Sequence, residues 1–247
     1  MTEPQKTRCG FVALVGAPNA GKSTLLNALV GSKVSIVSPK VQTTRSLVRG
    51  IAIKDKTQIV FVDTPGIFAP KRRLDRAMVT AALSGAADAD LAALLIDAKK
   101  GLDDETRAII EKLKEIPQPK ILILNKIDLV KRDILLALTQ AVNELMPFER
   151  TFMISATKHD GVSDLLGYFV ERLPAGPWHY PEDEITDIPL RQMAAEITRE
   201  KLFLRLHEEL PYQSTVETDS WKELRDRSVR IEQSIFVERE SQRKIVL

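Results

Sequence analysis

Five short runs, residues 11–15, 59–62, 91–96, 121–124 and 152–154, are almost uninterrupted in apolar side chains and are no longer than single strands. A strand with one face in water alternates apolar and polar residues, so runs apolar on both faces belong to a sheet covered on both sides. Helical patterns lie between several of them. One spans residues 103–114, where Asp103, Asp104 and Glu105 favour a helix N-terminus. Strand alternating with helix predicts an α/β fold with a mainly parallel sheet, right-handed crossovers and ligands at the carboxyl ends of the strands. With 44% hydrophobic and 28% charged residues, the chain can bury the core such a sheet needs.

The pattern changes after residue 173. Pro174, Gly176, Pro177, Pro181 and Pro189, interspersed with Glu182, Asp183, Glu184 and Asp187, read as a polar connecting segment. The expected organisation is a first domain over 1–175, a linker over 176–188 and a smaller α+β domain over 189–247. In that second domain Leu190, Met193, Ala194, Ile197 and Leu204 share one helical face. Two strand-like segments follow, the later one with Val229, Ile231, Ile235 and Val237 at alternate positions. A further strand is expected from Lys244, and the chain stops inside the apolar run Ile245, Val246, Leu247, which reads as a domain cut short.

A formal charge of +2 gives no general attraction to nucleic acid or anionic lipid, so such a partner requires a local patch. The lone Cys9 excludes an internal disulfide, and the first ten residues lack the apolar stretch of a secretory signal. These features suggest a cytoplasmic location.

Three motifs carry the chemistry. Directly after the first strand comes GxxxxGK[ST], formed by Gly16, Ala17, Pro18, Asn19, Ala20, Gly21, Lys22 and Ser23, with Thr24 next. Such a loop turns its backbone N–H groups onto phosphate oxygens, and the following helix N-terminus adds partial positive charge. Lys22 would reach the β and γ phosphates, and Ser23 would place a hydroxyl on Mg²⁺. At the end of the next run, Asp63, Thr64, Pro65 and Gly66 form DTPG. There the aspartate can hold Mg²⁺ through a water and Gly66 can offer its N–H to a γ phosphate. The third motif, NKID, places Asn125, Lys126 and Asp128 after another strand. The Asp128 carboxylate can accept from the guanine N1–H and exocyclic amine, a pairing adenine cannot make, so the expected ligand is GTP or GDP. Ser155, Ala156 and Thr157 follow the next strand, where backbone N–H groups would face the guanine O6.

With GAPNAGKST, QTTR, DTPG, NKID and SAT in this order, the first 175 residues resemble the translation-factor-like branch of P-loop GTPases. KVSIVSPKVQTTRSLVRGI, DTPGIF, ELPY and VERESQ extend the resemblance to the Era family across essentially the whole chain. The resemblance implies a Ras-like G domain joined to a KH type II-like domain, and a GTP-hydrolysing switch in small ribosomal subunit assembly that binds 16S rRNA as a monomer. It makes residues 32–45 the first switch loop, with Thr44 as its Mg²⁺ ligand and Thr43 the adjacent alternative. Ile67 stands where Ras-like enzymes carry a water-orienting glutamine, so intrinsic hydrolysis should be slow. Asn19 matches an asparagine that coordinates K⁺ in related GTPases, which would join Lys22, Thr44 and Gly66 in catalysis. Residues 189–247 contain no glycine, hence no GxxG clamp, and 11 Lys and Arg offset 11 Asp and Glu. Lys33, Lys40, Arg45 and Arg49, with Lys71, Arg72, Arg73 and Arg76, are candidate RNA contacts, although such charges more often form a solvated face. Trp178 and Trp221 read as packing residues. Peripheral association with the inner membrane is a further expectation, and the alternative function is a membrane-associated or signalling GTPase module that binds a protein effector.

Overall fold

A computed structural model describes residues 7–41, 43–70, 73–208 and 210–246. Gln42 of QTTR, Lys71 and Arg72 of the basic cluster, Glu209 of ELPY and Leu247 of the terminal run lie outside the described residues. The chain divides into two compact units, one of residues 1–35 and 44–187, the other of residues 36–43 and 188–247.

The first unit is built on six strands, β1 (Arg8–Gly16), β2 (Val48–Lys54), β3 (Thr57–Asp63), β4 (Leu91–Asp97), β5 (Lys120–Asn125) and β6 (Thr151–Ile154). Their order is β2-β3-β1-β4-β5-β6, parallel except for the antiparallel β2–β3 pair. The five apolar runs are β1, β3, β4, β5 and β6, and β3 and β4 are buried along their full length. On one face pack α2 (Arg73–Ala87), α3 (Asp104–Lys114) and α4 (Arg132–Leu145), closing over Ala13, Val15, Leu94, Ile96, Leu122 and Leu124. Helices α1 (Lys22–Val30) and α5 (Val162–Arg172) pack on the other, where Phe169 meets Phe61 edge-on at 5.5 Å. Helix α3 starts as its acidic residues dictate. The Asp103 carboxylate accepts from Thr106 N–H at 2.8 Å, and Lys112 and Lys114 complement the dipole at the other end.

Residues 176–187, which composition marks as a connector, are held against the first unit. Gln58, fully buried on β3, accepts through Oε1 from His179 N–H at 2.8 Å and Tyr180 N–H at 3.0 Å. The Trp178 indole donates to Lys56 O. Ile51 N–H donates to Ile185 O at 2.9 Å, Thr186 Oγ1 to Arg49 O at 2.7 Å, and Arg49 pairs with Asp187 at 2.7 Å.

In the second unit α6 (Leu190–Arg205) packs on a two-stranded antiparallel sheet of β7 (Ser214–Glu223) and β8 (Val229–Val237), followed by α7 (Glu240–Val246). One expectation is corrected here. The strand predicted from Lys244 is the helix α7, because Gln242 Oε1 caps the Arg239 N–H at 2.9 Å and Glu240, Arg243 and Lys244 suit the helix dipole. The apolar residues named from the sequence do share a face of α6, on which Leu190 is 69%, Ile197 40% and Leu204 47% exposed, and the helix buries Ala195, Arg199, Glu200 and Phe203. Glu200 and Arg199 bond the backbone at Val37 and Thr43, positions distant in sequence, so helical periodicity alone could not find them. Among the described residues, no helix is long and apolar enough to cross a membrane.

Candidate nucleotide and metal site

The carboxyl ends of β1, β3 and β5 and the loop after β6 converge on one site, where the three motifs meet. In the loop after β1, Asn19 and Gly21 have φ of 63° and 99°, which turns the backbone tightly before α1. A Cβ on Gly21 would lie 2.3 Å from Asn125 Nδ2, so only glycine lets the NKID motif approach the loop. Gly66 is equally constrained, because its Cβ would lie 2.8 Å from the Pro18 ring. Thr64 serves the frame, donating to Leu14 O at 2.8 Å, while Pro65 is buried beside it.

Lys22, the first residue of α1, folds back over the loop and donates to Gly16 O at 3.1 Å and Ala17 O at 3.0 Å. Burial pushes its ammonium down to about 8, against the pull of Asp63 and Glu105. Asp63 is completely buried. Its Oδ2 accepts from Ser23 at 2.7 Å, Ser35 at 2.9 Å and Thr44 at 3.3 Å, and Ser23 and Thr44 are 3.0 Å apart. Oδ1 has no partner. Burial pushes this carboxyl up, with Lys22 and the three hydroxyls opposing. A buried carboxylate oxygen without a donor, flanked by hydroxyl oxygens, fits a hard cation such as Mg²⁺. The same geometry separates the two threonines. Thr44 joins the Asp63 cluster, whereas the Thr43 hydroxyl bonds Ser38 at 2.7 Å and Lys40 O at 3.0 Å.

Asn125, 2% exposed, ties three loops together. Its Nδ2 donates to Ala20 O at 2.9 Å, and its Oδ1 accepts from Lys126 N–H at 2.8 Å and Ala156 N–H at 3.1 Å. The Ala156 amide thus faces Asn125 here. Lys126 bridges Asn19 O at 2.7 Å and the Asp97 carboxylate at 2.6 Å. Asp128 stands at the rim, and the Ser155 hydroxyl bonded to it, with Lys158 at 3.5 Å, holds it below the usual carboxylate range. Thr24, Ala156 and Thr157 line an adjoining groove of about 420 Å³ with Asn27 and Lys33. Ile67 is 1% exposed within the core, so its side chain does not reach a water at the site.

Sequence reasoning missed Ser35, Asn27 and Asp97. Asn27 holds residues 34 and 35 through three bonds, accepting from Val34 N–H and Ser35 N–H and donating to Ser35 O at 2.8 Å. Its signal was present, since it lies four residues after Ser23 and so on the same helix face. Among the basic residues flanking the first switch loop, Arg49 is engaged internally with Asp187, and Lys40 with Phe203 O at 2.5 Å and Leu206 O.

Residues 11–126 match the family model described as 50S ribosome-binding GTPase. The chain is 68% identical over 242 residues to GTPase Era of Bradyrhizobium sp. strain BTAi1, covering 98% of this chain and 79% of the relative. It is 65% identical over 246 residues to GTPase Era of Brucella suis biovar 1, covering 100% and 79%. Among solved structures it is similar to Era in complex with MgGDPNP and nucleotides 1506–1542 of 16S ribosomal RNA, with TM-score 0.91, 38% identity and coverage of 97% of this chain and 82% of that one. A variant of Aquifex aeolicus Era bound to GDP and AlF4⁻ matches with the same TM-score, identity and coverage. With its three nucleotide motifs assembled on a P-loop α/β sheet and this identity sustained along nearly the whole chain, the protein belongs to the Era family of GTPases.

Proposed function

We propose that this GTPase is a guanine-nucleotide switch of small ribosomal subunit assembly that acts on 16S rRNA in the cytoplasm. The single observation that supports this most is the 0.91 TM-score over 97% of the chain to an Era structure holding both MgGDPNP and a 16S rRNA segment. In this reading the backbone N–H groups of the loop 16–23, other than at Pro18, and the Lys22 ammonium would hold the phosphates, and Ser23, Thr44 and Asp63 would hold Mg²⁺. Bound Mg²⁺ offsets charge on the phosphate oxygens. Gly66 N–H meets the γ phosphate, and Asp128 reads guanine while Asn125 and Lys126 brace its loop. Ordering of the loops that carry Thr44 and Gly66 in the triphosphate state, and their release on hydrolysis, is the switch. The second unit, 188–247 with 36–43, is assigned as part of a KH domain. Fluorescence anisotropy with an RNA carrying the 3′ end of 16S rRNA tests the reading. Tighter binding with a non-hydrolysable GTP analogue than with GDP supports it, and equal weak binding in both states overturns it.

Two further outcomes follow at the site. Because free Lys22 is half neutral near pH 8 and phosphate favours its charged form, GDP binding at pH 8 should take up about half a proton, falling towards none near pH 6. GDP affinity therefore weakens as pH rises through 8. Calorimetry in two buffers of different ionisation enthalpy measures the uptake. The second outcome concerns Asn19, assigned as a K⁺ ligand in place of an arginine finger. K⁺ should stimulate hydrolysis over Na⁺, and Asn19→Gly should abolish the stimulation. Glycine suits φ 63° where alanine adds strain, so the variant removes the carboxamide alone. Equal rates in both salts for the unaltered chain would rule out the assignment.

A further inference from the structure

Strand β4 lies between β1 and β5 in the sheet, and those two strands run into the loop of residues 16–23 and the NKID loop. The residue that closes β4 therefore stands where the two loops face each other. That residue is Asp97, 9% exposed, in register with Asn125 on β5 and two positions beyond Leu95, which pairs with Gly16 on β1. Its two carboxylate oxygens serve different partners. Oδ1 accepts from Lys99 N–H at 3.0 Å and shapes the turn after β4, while Oδ2 accepts from the Lys126 ammonium at 2.6 Å. The same ammonium donates to Asn19 O at 2.7 Å, so the Lys126 stem crosses from the NKID loop to the loop after β1.

Both ends of this bridge have left-handed backbone at residues other than glycine, with φ of 63° at Asn19 and 64° at Lys126. Such backbone persists only where its surroundings hold it. Fixing a lysine stem costs rotamer entropy, which an ion pair in open water hardly offsets. Here the paired side chains are only 10% exposed for Asp97 and 31% for Lys126, and the carboxylate is already oriented by its turn.

We infer that Asp97 is a positioning residue for guanine-nucleotide binding, holding the Lys126 side chain across the gap so that the two loops keep their spacing. The inference rests on the assignment of residues 16–23 and 125–128 to the nucleotide. Asp97 acts through Lys126 rather than on the ligand, and through it β4 contributes to the site alongside the strands that carry the motifs.

The test follows release of a fluorescent GDP from the whole chain by stopped flow. Asp97→Asn keeps an oxygen for the Lys99 turn and loses the charge facing Lys126, so it separates the roles of the two oxygens. GDP should leave about tenfold faster, the scale of one lost hydrogen bond between charged groups, with a thermal midpoint near that of the unaltered chain. Lys126→Met keeps most of the stem without the ammonium and should speed release at least as much. In the double variant, Asp97→Asn should add less than about twofold, because no ammonium is left to hold. If Asp97→Asn does not fold, Asp97→Ser takes its place, since a hydroxyl can close the same turn without charge. Release within about twofold of the unaltered rate in Asp97→Asn, with Lys126→Met fast, overturns the inference and leaves the nucleotide assignment standing. Unaltered release in both single variants removes the inference and the role of Lys126 together. Multiplying effects in the double variant also overturn the inference, because Asp97 would then act by shaping its own turn.

Discussion

Asp128→Asn should weaken GDP and GTP binding by at least about 100-fold and create affinity for the xanthine nucleotides. The carboxylate is an acceptor only, and guanine presents it with two donors, N1–H and the exocyclic amine. Each hydrogen bond to a charged group is worth roughly a tenfold change or more, and the amide forces a donor against a donor. Xanthine carries an oxygen in place of the amine and accepts from that donor. The loss of the Lys158 ion pair, 3.5 Å long with Lys158 65% exposed, adds little. Competition against a fluorescent guanine nucleotide measures both arms, and undiminished GDP affinity would remove Asp128 from base recognition.

The second large effect is expected at Asn125, whose role is to join loops. Asn125→Ala leaves Ala20 O, Lys126 N–H and Ala156 N–H without their shared partner in a place 2% exposed. At roughly 1 kcal/mol or more for each stranded group, the first unit should lose about 3 kcal/mol of stability. On the proposed function GDP should also dissociate at least about 100-fold faster, because the loop of residues 16–23 and the loop that carries Asp128 no longer share a brace. Asn125→Asp keeps the two acceptances but sets an acceptor against Ala20 O and buries a charge, so it should be no more stable than Asn125→Ala. Native-state exchange of β1 and β5 amides reports the first quantity and stopped-flow displacement the second. Full retention of slow dissociation in Asn125→Ala would show that the loops are positioned independently.

Which features were legible in the amino-acid order depended on whether their causes were local. GAPNAGKS, DTPG and NKID are contiguous, each ends a buried strand, and the parallel sheet carries those ends to one place, so Lys22, Asp63, Asn125 and Asp128 could be assembled on paper. Strand β2 escaped notice because VRGIAIK mixes charge and glycine, as an antiparallel edge strand does. Ser35 was one polar residue in a polar loop, and its bond to Asp63 spans 28 positions. The buried side of α6 was not legible for a related reason. Periodicity picks out apolar positions, whereas this helix meets residues 36–43 through Arg199 and Glu200, polar groups whose partners are backbone atoms. At Lys244 the β-branched residues suggested a strand, yet a single side-chain cap from Gln242 outweighed propensity over so short a stretch.

Strand β2 pairs on one side only with β3, and a bare strand margin is a ready template for another chain. Here the margin is covered from within, since Ile185 and Thr186 lie along it and Asp187 locks onto Arg49. The proline-rich stretch is therefore a selvedge to the sheet as well as a tether. Shortening the first unit to end before it would strip that hem and leave a surface prone to self-association.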